Sequence, residues 1–195
     1  MKQALVIHGG STYNSDEEFH SHLKALQLDY TRLLHRNKWN GWLAEALPEY
    51  EVLTPTFPNG SNAKYDEWSL YFSKILPFLT PEAILIGHSL GGVFLAKYLN
   101  EHPELRFKKV ALIAAPFTDT PDESLASFAL PEDMSKLATT ASKFALFHSK
   151  DDFVVPFSDL AQYQSILPSA EIITFEDRGH INTPTFPELI EFIKK

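Results

Sequence analysis

The 195-residue chain contains no cysteine. That excludes disulfide cross-links, thiolate nucleophiles and cysteine-ligated zinc. Basic runs are equally absent. Lys and Arg never stand more than two together (Lys108–Lys109 and Lys194–Lys195), and the formal net charge is −8. Such a surface repels a phosphate backbone and an anionic bilayer, so neither nucleic acid nor membrane is expected as a partner. Long hydrophobic runs are missing too. The N-terminus offers only Ala4 to Ile7 before a His-Gly-Gly turn, too little for the core of a signal peptide. No stretch approaches the roughly 20 apolar residues that span a bilayer. The expectation is a cytoplasmic protein, monomer or dimer.

What is present suits a globular protein with a core of ordinary size: 44% hydrophobic and 22% charged residues. No internal repeat, low-complexity segment or linker occurs, so residues 1–195 are read as one domain. Short, wholly apolar runs alternate with longer stretches of helical period. Ala4–His8, Glu51–Thr54, Ala83–Gly87, Val110–Ala114, Phe144–His148 and Ile172–Phe175 read as strands, mostly too apolar to be half exposed. Asp66–Leu79, Leu90–Leu99, Phe157–Leu167 and Pro187–Ile193 read as helices between them. Asp16–Leu47 is helical in pattern, with Phe19, Leu23, Leu26, Tyr30, Leu33 and Leu34 spaced by three and four. Trp39-Asn40-Gly41-Trp42 interrupts that pattern and predicts two helices there. Residues 116–140, with Pro116, Pro121 and Pro131, are read as irregular with short helices. The sum is an α/β fold of about six mostly parallel strands covered by helices on both faces.

Gly87-His88-Ser89-Leu90-Gly91 fits G-x-S-x-G. The pattern alone is weak, but a buried strand precedes it and a helix follows it. A strand-to-helix turn this tight strains the central residue and needs small neighbours on either side. It places Ser89 Oγ at a helix N-terminus, where backbone N–H groups favour developing negative charge. No G-x-G-x-x-G and no following lysine supports a phosphate-binding loop instead.

A serine hydroxyl needs a base, and the base an orienting acid, in the chain order Ser, Asp or Glu, His. Of eight histidines, only His102, His148 and His180 follow Ser89. His102 reads as a helix C-terminal residue and His148 as a satisfied core histidine. His180, in the polar loop between the last strand and last helix, is the expected base. The acid should follow the penultimate strand, where Asp151 and Asp152 both stand. Asp152 is preferred, because the Val154-Val155-Pro156 run tucks beneath the site; Asp151 more naturally caps the turn. Asp119 and Asp177 rank lower. An oxyanion hole needs two N–H donors: Leu90, and Gly10 or Ser11 from the loop after the first strand. His8 and His88 are read as structural or wall residues. Phe117, Phe153 and Trp39, with Phe128 and Leu130, are candidate pocket walls.

Taken together, the pattern resembles the small YdeN-type serine hydrolases, which include the retinoblastoma-binding-protein-nine-like enzymes. The similarity runs through the glycine turn after the first strand, Trp39–Trp42, Pro58 with Tyr65-Asp66-Glu67-Trp68, and Gly87–Gly92. It continues through Ala115-Pro116-Phe117, Asp151-Asp152 with Pro156, and Gly179-His180 with Phe186 and Glu188-Leu189. It implies a three-layer α/β-hydrolase core with minimal cap and a triad of Ser89, Asp152 and His180. Such a triad is expected to cleave a small carboxyl ester through an acyl-Ser89 intermediate, with no metal or organic cofactor needed. An amidase, thioesterase or peptidase, or a silent hydrolase fold that only binds, is the alternative. Two departures stand out. The stretch between Gly10 and Trp39 is long for the family, so an added helix is expected to reshape the pocket mouth. The eukaryotic members' pocket-protein motif contains cysteine, so that partnership is not carried over.

Overall fold

The structure is a computed structural model that describes residues 2–34, 38–120 and 124–195. Six strands form one sheet in the order β2-β1-β3-β4-β5-β6, and every neighbouring pair is parallel. They are β1 (Lys2–Ile7), β2 (Tyr50–Leu53), β3 (Ile84–His88), β4 (Phe107–Ile113), β5 (Ala141–Ser149) and β6 (Glu171–Phe175). Parallel neighbours require crossovers, and the helices supply them. Successive strand residues point to opposite faces, so each central strand feeds two cores. Leu5, Ile7, Leu85, Val110, Leu112 and Leu146 pack on one side; Ala4, Val6, Ile84, Ile86, Ala111 and Phe147 pack on the other. Burial on both faces is why the strands read as unbroken apolar runs.

The first face is covered by α4 (Tyr65–Ile75), α5 (Leu90–Glu101) and α6 (Ser158–Ile166). The second is covered by α3 (Trp39–Ala46) and α7 (Pro187–Lys194). α5 is apolar almost all round and buries ten of its residues, from Leu90 to Asn100, as befits a helix enclosed by its neighbours.

Two expectations need correcting. Trp39-Asn40-Gly41-Trp42 does not interrupt a helix; it opens α3, because Trp39 and Leu43 lie one turn apart and bury together. The breaks fall earlier, around α1 (Asp16–Ala25) and the short α2 (Tyr30–Leu33), which leaves three helices rather than two. Residues 35–37 of that stretch, and Pro121 of the irregular stretch, lie outside the described residues. The apolar stripe along 19–34 also does not face the core. α1 buries none of its residues, and Leu23, Leu26, Leu28, Tyr30, Leu33 and Leu34 are exposed. Local chemistry holds α1 instead. Ser15 Oγ accepts the Glu18 N–H, Glu18 Oε2 accepts the Asn14 N–H, and three acidic residues occupy the first turn. The described residues of 116–140 are irregular as expected, with short 3₁₀ turns at Ala126–Phe128 and Leu137–Thr139.

Lys109 is a buried cation in β4, 4% exposed. Its Nζ donates to the carbonyls of Phe192 (2.7 Å) and Ile193 (3.0 Å), which lack partners within the last turn of α7. Burial pushes the ammonium pKa down from its ordinary value. Lys109→Met keeps the stem but strands Phe192 O and leaves Ile193 O to Tyr50 OH alone (3.3 Å), so it is expected to cost about 1–3 kcal/mol of stability in urea unfolding. An unchanged midpoint and slope would show that Lys109 does not anchor α7.

Candidate active site

Ser89 sits between β3 and α5 with φ 55° and ψ −124°, a left-handed-side conformation that a side chain adopts at a cost of about 1–3 kcal/mol. The turn is held from three directions. Ser89 N–H donates to Ile113 O of β4 (2.8 Å), and Ser89 O accepts from Gly92 N (2.8 Å). A Cβ on Gly87 would lie 2.4 Å from Gly91 O, and one on Gly91 would lie 2.4 Å from Ile7 O. Both approaches are backbone against backbone, so neither position accepts a side chain without moving the sheet.

His180 and Asp152 meet across 28 residues of chain. His180 Nδ1 lies 2.9 Å from Asp152 Oδ2 and 3.1 Å from Oδ1. A carboxylate only accepts, so Nδ1 carries the proton and Nε2 is left with its lone pair. The Asp152 side chain is fully buried. Burial opposes its ionisation, but the His180 bond and the N–H groups of Val155 (3.0 Å) and Val154 (2.9 Å) outweigh it. The net effect holds the carboxyl below its ordinary pKa. Asp151 does not cap its own turn as expected, because Asp152 Oδ1 takes the Val154 and Val155 N–H groups there; Asp151 instead anchors the His180 loop. Its Oδ1 accepts from Ser149 Oγ and from Gly179 N (2.8 Å), one residue before His180. Asp119 Oδ1 accepts from Leu125 N, and Asp177 is exposed.

The loop carrying His180 is pinned along its length. Gly179 (φ 51°) and Ile181 (φ 49°) turn it back on itself, and Ile181 is fully buried. Arg178 N–H donates to Ser149 Oγ, while its guanidinium forms a bidentate pair with Glu188 (2.6 and 2.8 Å) and lies over the Phe175 ring. Trp39 Nε1 donates to Ile181 O (3.1 Å). His88 Nε2 donates to His180 O (2.9 Å), and burial together with the neighbouring His180 ring pushes its pKa down to about 4. His88 and Trp39 are thus struts of the loop as well as wall residues. Their donor geometry left no mark in the sequence.

The loop after β1 is zipped to residues 57–63. His8 Nδ1 donates to Gly9 O, His8 Nε2 accepts from Phe57 N, and Ser11 N–H donates to Gly60 O (2.9 Å). The Ser11 N–H is therefore committed, whereas Leu90 N–H is the first of the unpaired donors at the start of α5. His148 is 2% exposed and donates to Val155 O; His102 ends α5 beside Glu104.

These elements enclose a cavity of about 450 Å³ whose walls include Gly10, Trp39, His88, Ser89, Val154 and His180. Asn182 also lines it, unanticipated by sequence reasoning. Of the aromatic candidates, the structure brings only Trp39 to the cavity. Phe117 turns inward and packs edge-on against Tyr163, because Asp159 Oδ2 holds its backbone N–H (2.8 Å). Phe153 is 86% exposed, lying over Gly179 outside the cavity. Phe128 is fully buried and Leu130 packs on the core. Among the described residues no three His, Asp or Glu side chains gather into a group able to hold a metal ion.

Known proteins share this fold. A family model described as serine hydrolase matches residues 34–186. Over 165 residues the chain is 26% identical to the serine hydrolase RBBP9 of Rattus norvegicus, spanning 80% of this chain and 84% of that protein. The crystal structure of the ydeN gene product from B. subtilis superposes with a TM-score of 0.78 at 20% identity, over 100% of this chain and 97% of that one. Est1E from Butyrivibrio proteoclasticus, solved with ferulic acid bound, superposes at 0.64 with 12% identity, over 100% and 87%. The matched segment spans Ser89, Asp152 and His180 of this chain, and the chain belongs to the serine hydrolase family and has the α/β-hydrolase fold.

Proposed function

We propose that this serine hydrolase cleaves a small carboxyl ester through an acyl-enzyme on Ser89. The observation that carries the reading is the fully buried Asp152 carboxylate bonded to His180 Nδ1, with His180 lining the same cavity as the strained Ser89. The bond fixes the tautomer in which Nε2 accepts a proton. Ser89 Oγ attacks the carbonyl carbon as Nε2 takes its proton. The carbonyl oxygen becomes an oxyanion held by the N–H groups of Leu90 and Gly10, since that of Ser11 is committed to Gly60. When the C–O bond breaks, the imidazolium returns the proton to the leaving alcohol. Water then repeats the sequence and frees Ser89. Asp152 stays ionised throughout, because its hydrogen bonds favour the charged form. The same steps apply to a thioester or an activated amide; an ester asks least of the leaving group.

Folded protein is expected to react with a fluorophosphonate probe at Ser89 and to hydrolyse p-nitrophenyl acetate. Ser89→Ala should remove both while leaving the thermal melt nearly unchanged. A folded protein that takes up no label is a silent hydrolase fold and ends this reading.

Asp152→Asn replaces an obligate acceptor with a group that can donate to Nδ1, which moves the imidazole proton to Nε2. The expected loss in kcat is roughly ten-thousand-fold with the fold intact. Steady-state kinetics showing less than a tenfold loss would remove Asp152 from the triad.

A further inference from the structure

A second, smaller compartment opens on the other side of Ser89. It measures about 140 Å³ and shares Gly10, Ser11 and Ser89 with the larger cavity. It is lined by Leu90, Pro116 and Leu125 together with the exposed Glu18 and His22 of α1. The walls are fastened to one another. Tyr13 packs against Phe19 and His22 of α1 (both 5.3 Å between ring centres). Asn14 Nδ2 donates to Ser124 Oγ (3.3 Å), Asp119 holds Leu125 N–H, and Tyr163 OH donates to Pro116 O (2.8 Å).

The two compartments differ in the group that decides their use. His180 and Trp39 line only the larger one; Leu90, whose N–H starts α5, lines only the smaller. The leaving oxygen must lie beside the imidazole that protonates it, so the alcohol belongs on the His180 side. The carbonyl oxygen points to Gly10 and Leu90, and the fourth substituent of the tetrahedral carbon, the acyl chain, is left with the direction away from His180. We propose that the compartment between α1 and Leu125 is the acyl site, which makes this enzyme a hydrolase of short-chain acyl esters of bulky alcohols. The proposal rests on the acyl-Ser89 reading given above. At about 140 Å³ against about 450 Å³, the compartment is the smaller of the two and suits the shorter half of the substrate, a short acyl chain. The 450 Å³ cavity, walled by the Trp39 and His88 rings, falls in the size range of whole small-molecule sites and suits an aryl alcohol.

The test is kcat/KM on p-nitrophenyl acetate, butyrate, hexanoate and octanoate, in wild type, Leu125→Ala and His22→Ala. Wild type is expected to fall about tenfold or more from butyrate to octanoate. Leu125→Ala and His22→Ala each cut back a side chain of the lining, so each should raise the octanoate-to-butyrate ratio about fivefold or more. His22 is exposed on a helix that buries nothing, so its variant folds even where Leu125→Ala does not. Fluorophosphonate labelling of Ser89 with kcat/KM level or rising toward octanoate would overturn the acyl-site assignment while leaving the hydrolase reading intact. So would a wild-type ratio that neither variant shifts. No labelling and no turnover of any ester would instead overturn the hydrolase reading on which the assignment stands.

Discussion

The site depends on how closely three backbones approach at the end of β3. Gly87 lies against Gly91, and Gly91 against the last carbonyls of β1, at distances that leave no volume for a single methyl group. This contact lets α5 begin one residue after β3 ends, and it forces the residue between them into a conformation that costs energy. The core meets that cost: β3 and α5 are both deeply enclosed, and the turn cannot relax without opening the apolar layers on both sides.

His180 is held by a different physics. Its loop contributes Ile181 to the core, but its position is set by hydrogen bonds to elements far apart in the chain: Ser149 at the end of β5 and Asp151 just beyond it, His88 before Ser89, Trp39 at the start of α3, and Glu188 in α7. Four of these partners satisfy backbone groups that the tight turn leaves exposed, and Glu188 holds the Arg178 side chain, so orientation of the imidazole and satisfaction of the loop are largely one problem. The glycine contacts fix where Ser89 stands. The polar anchors fix how His180 is aimed.

The strands were legible because burial on both faces writes an unbroken apolar run, and the Ser89 turn was legible because steric exclusion admits only glycine at its flanks. Asp152 and His180 were legible through chain order, and they are in fact bonded to each other. Other features depend on contacts that local pattern does not encode. Ser11 could not be separated from Gly10 without knowing that Gly60 takes the Ser11 N–H. Phe117 and Phe153 are aromatic residues beside the right segments, yet Asp159 turns one into the core and the Asp152 turn leaves the other in solvent. The stripe from Phe19 to Leu34 has the period of a core-facing helix without a core to face, since period reports that one side is apolar and says nothing of what lies opposite.

α1 therefore has an unusual standing in the molecule. It shapes the ground beside Ser89, yet it is joined to the rest by a capping pair, an aromatic contact at Tyr13 and a few side-chain hydrogen bonds, with no residue sunk in either apolar layer. Substitutions along it fall on a part of the fold whose loss of packing costs almost nothing elsewhere. On the acyl-site proposal, substrate preference can drift in this chain by mutations that stability does not oppose, and the same helix is the place to graft new selectivity.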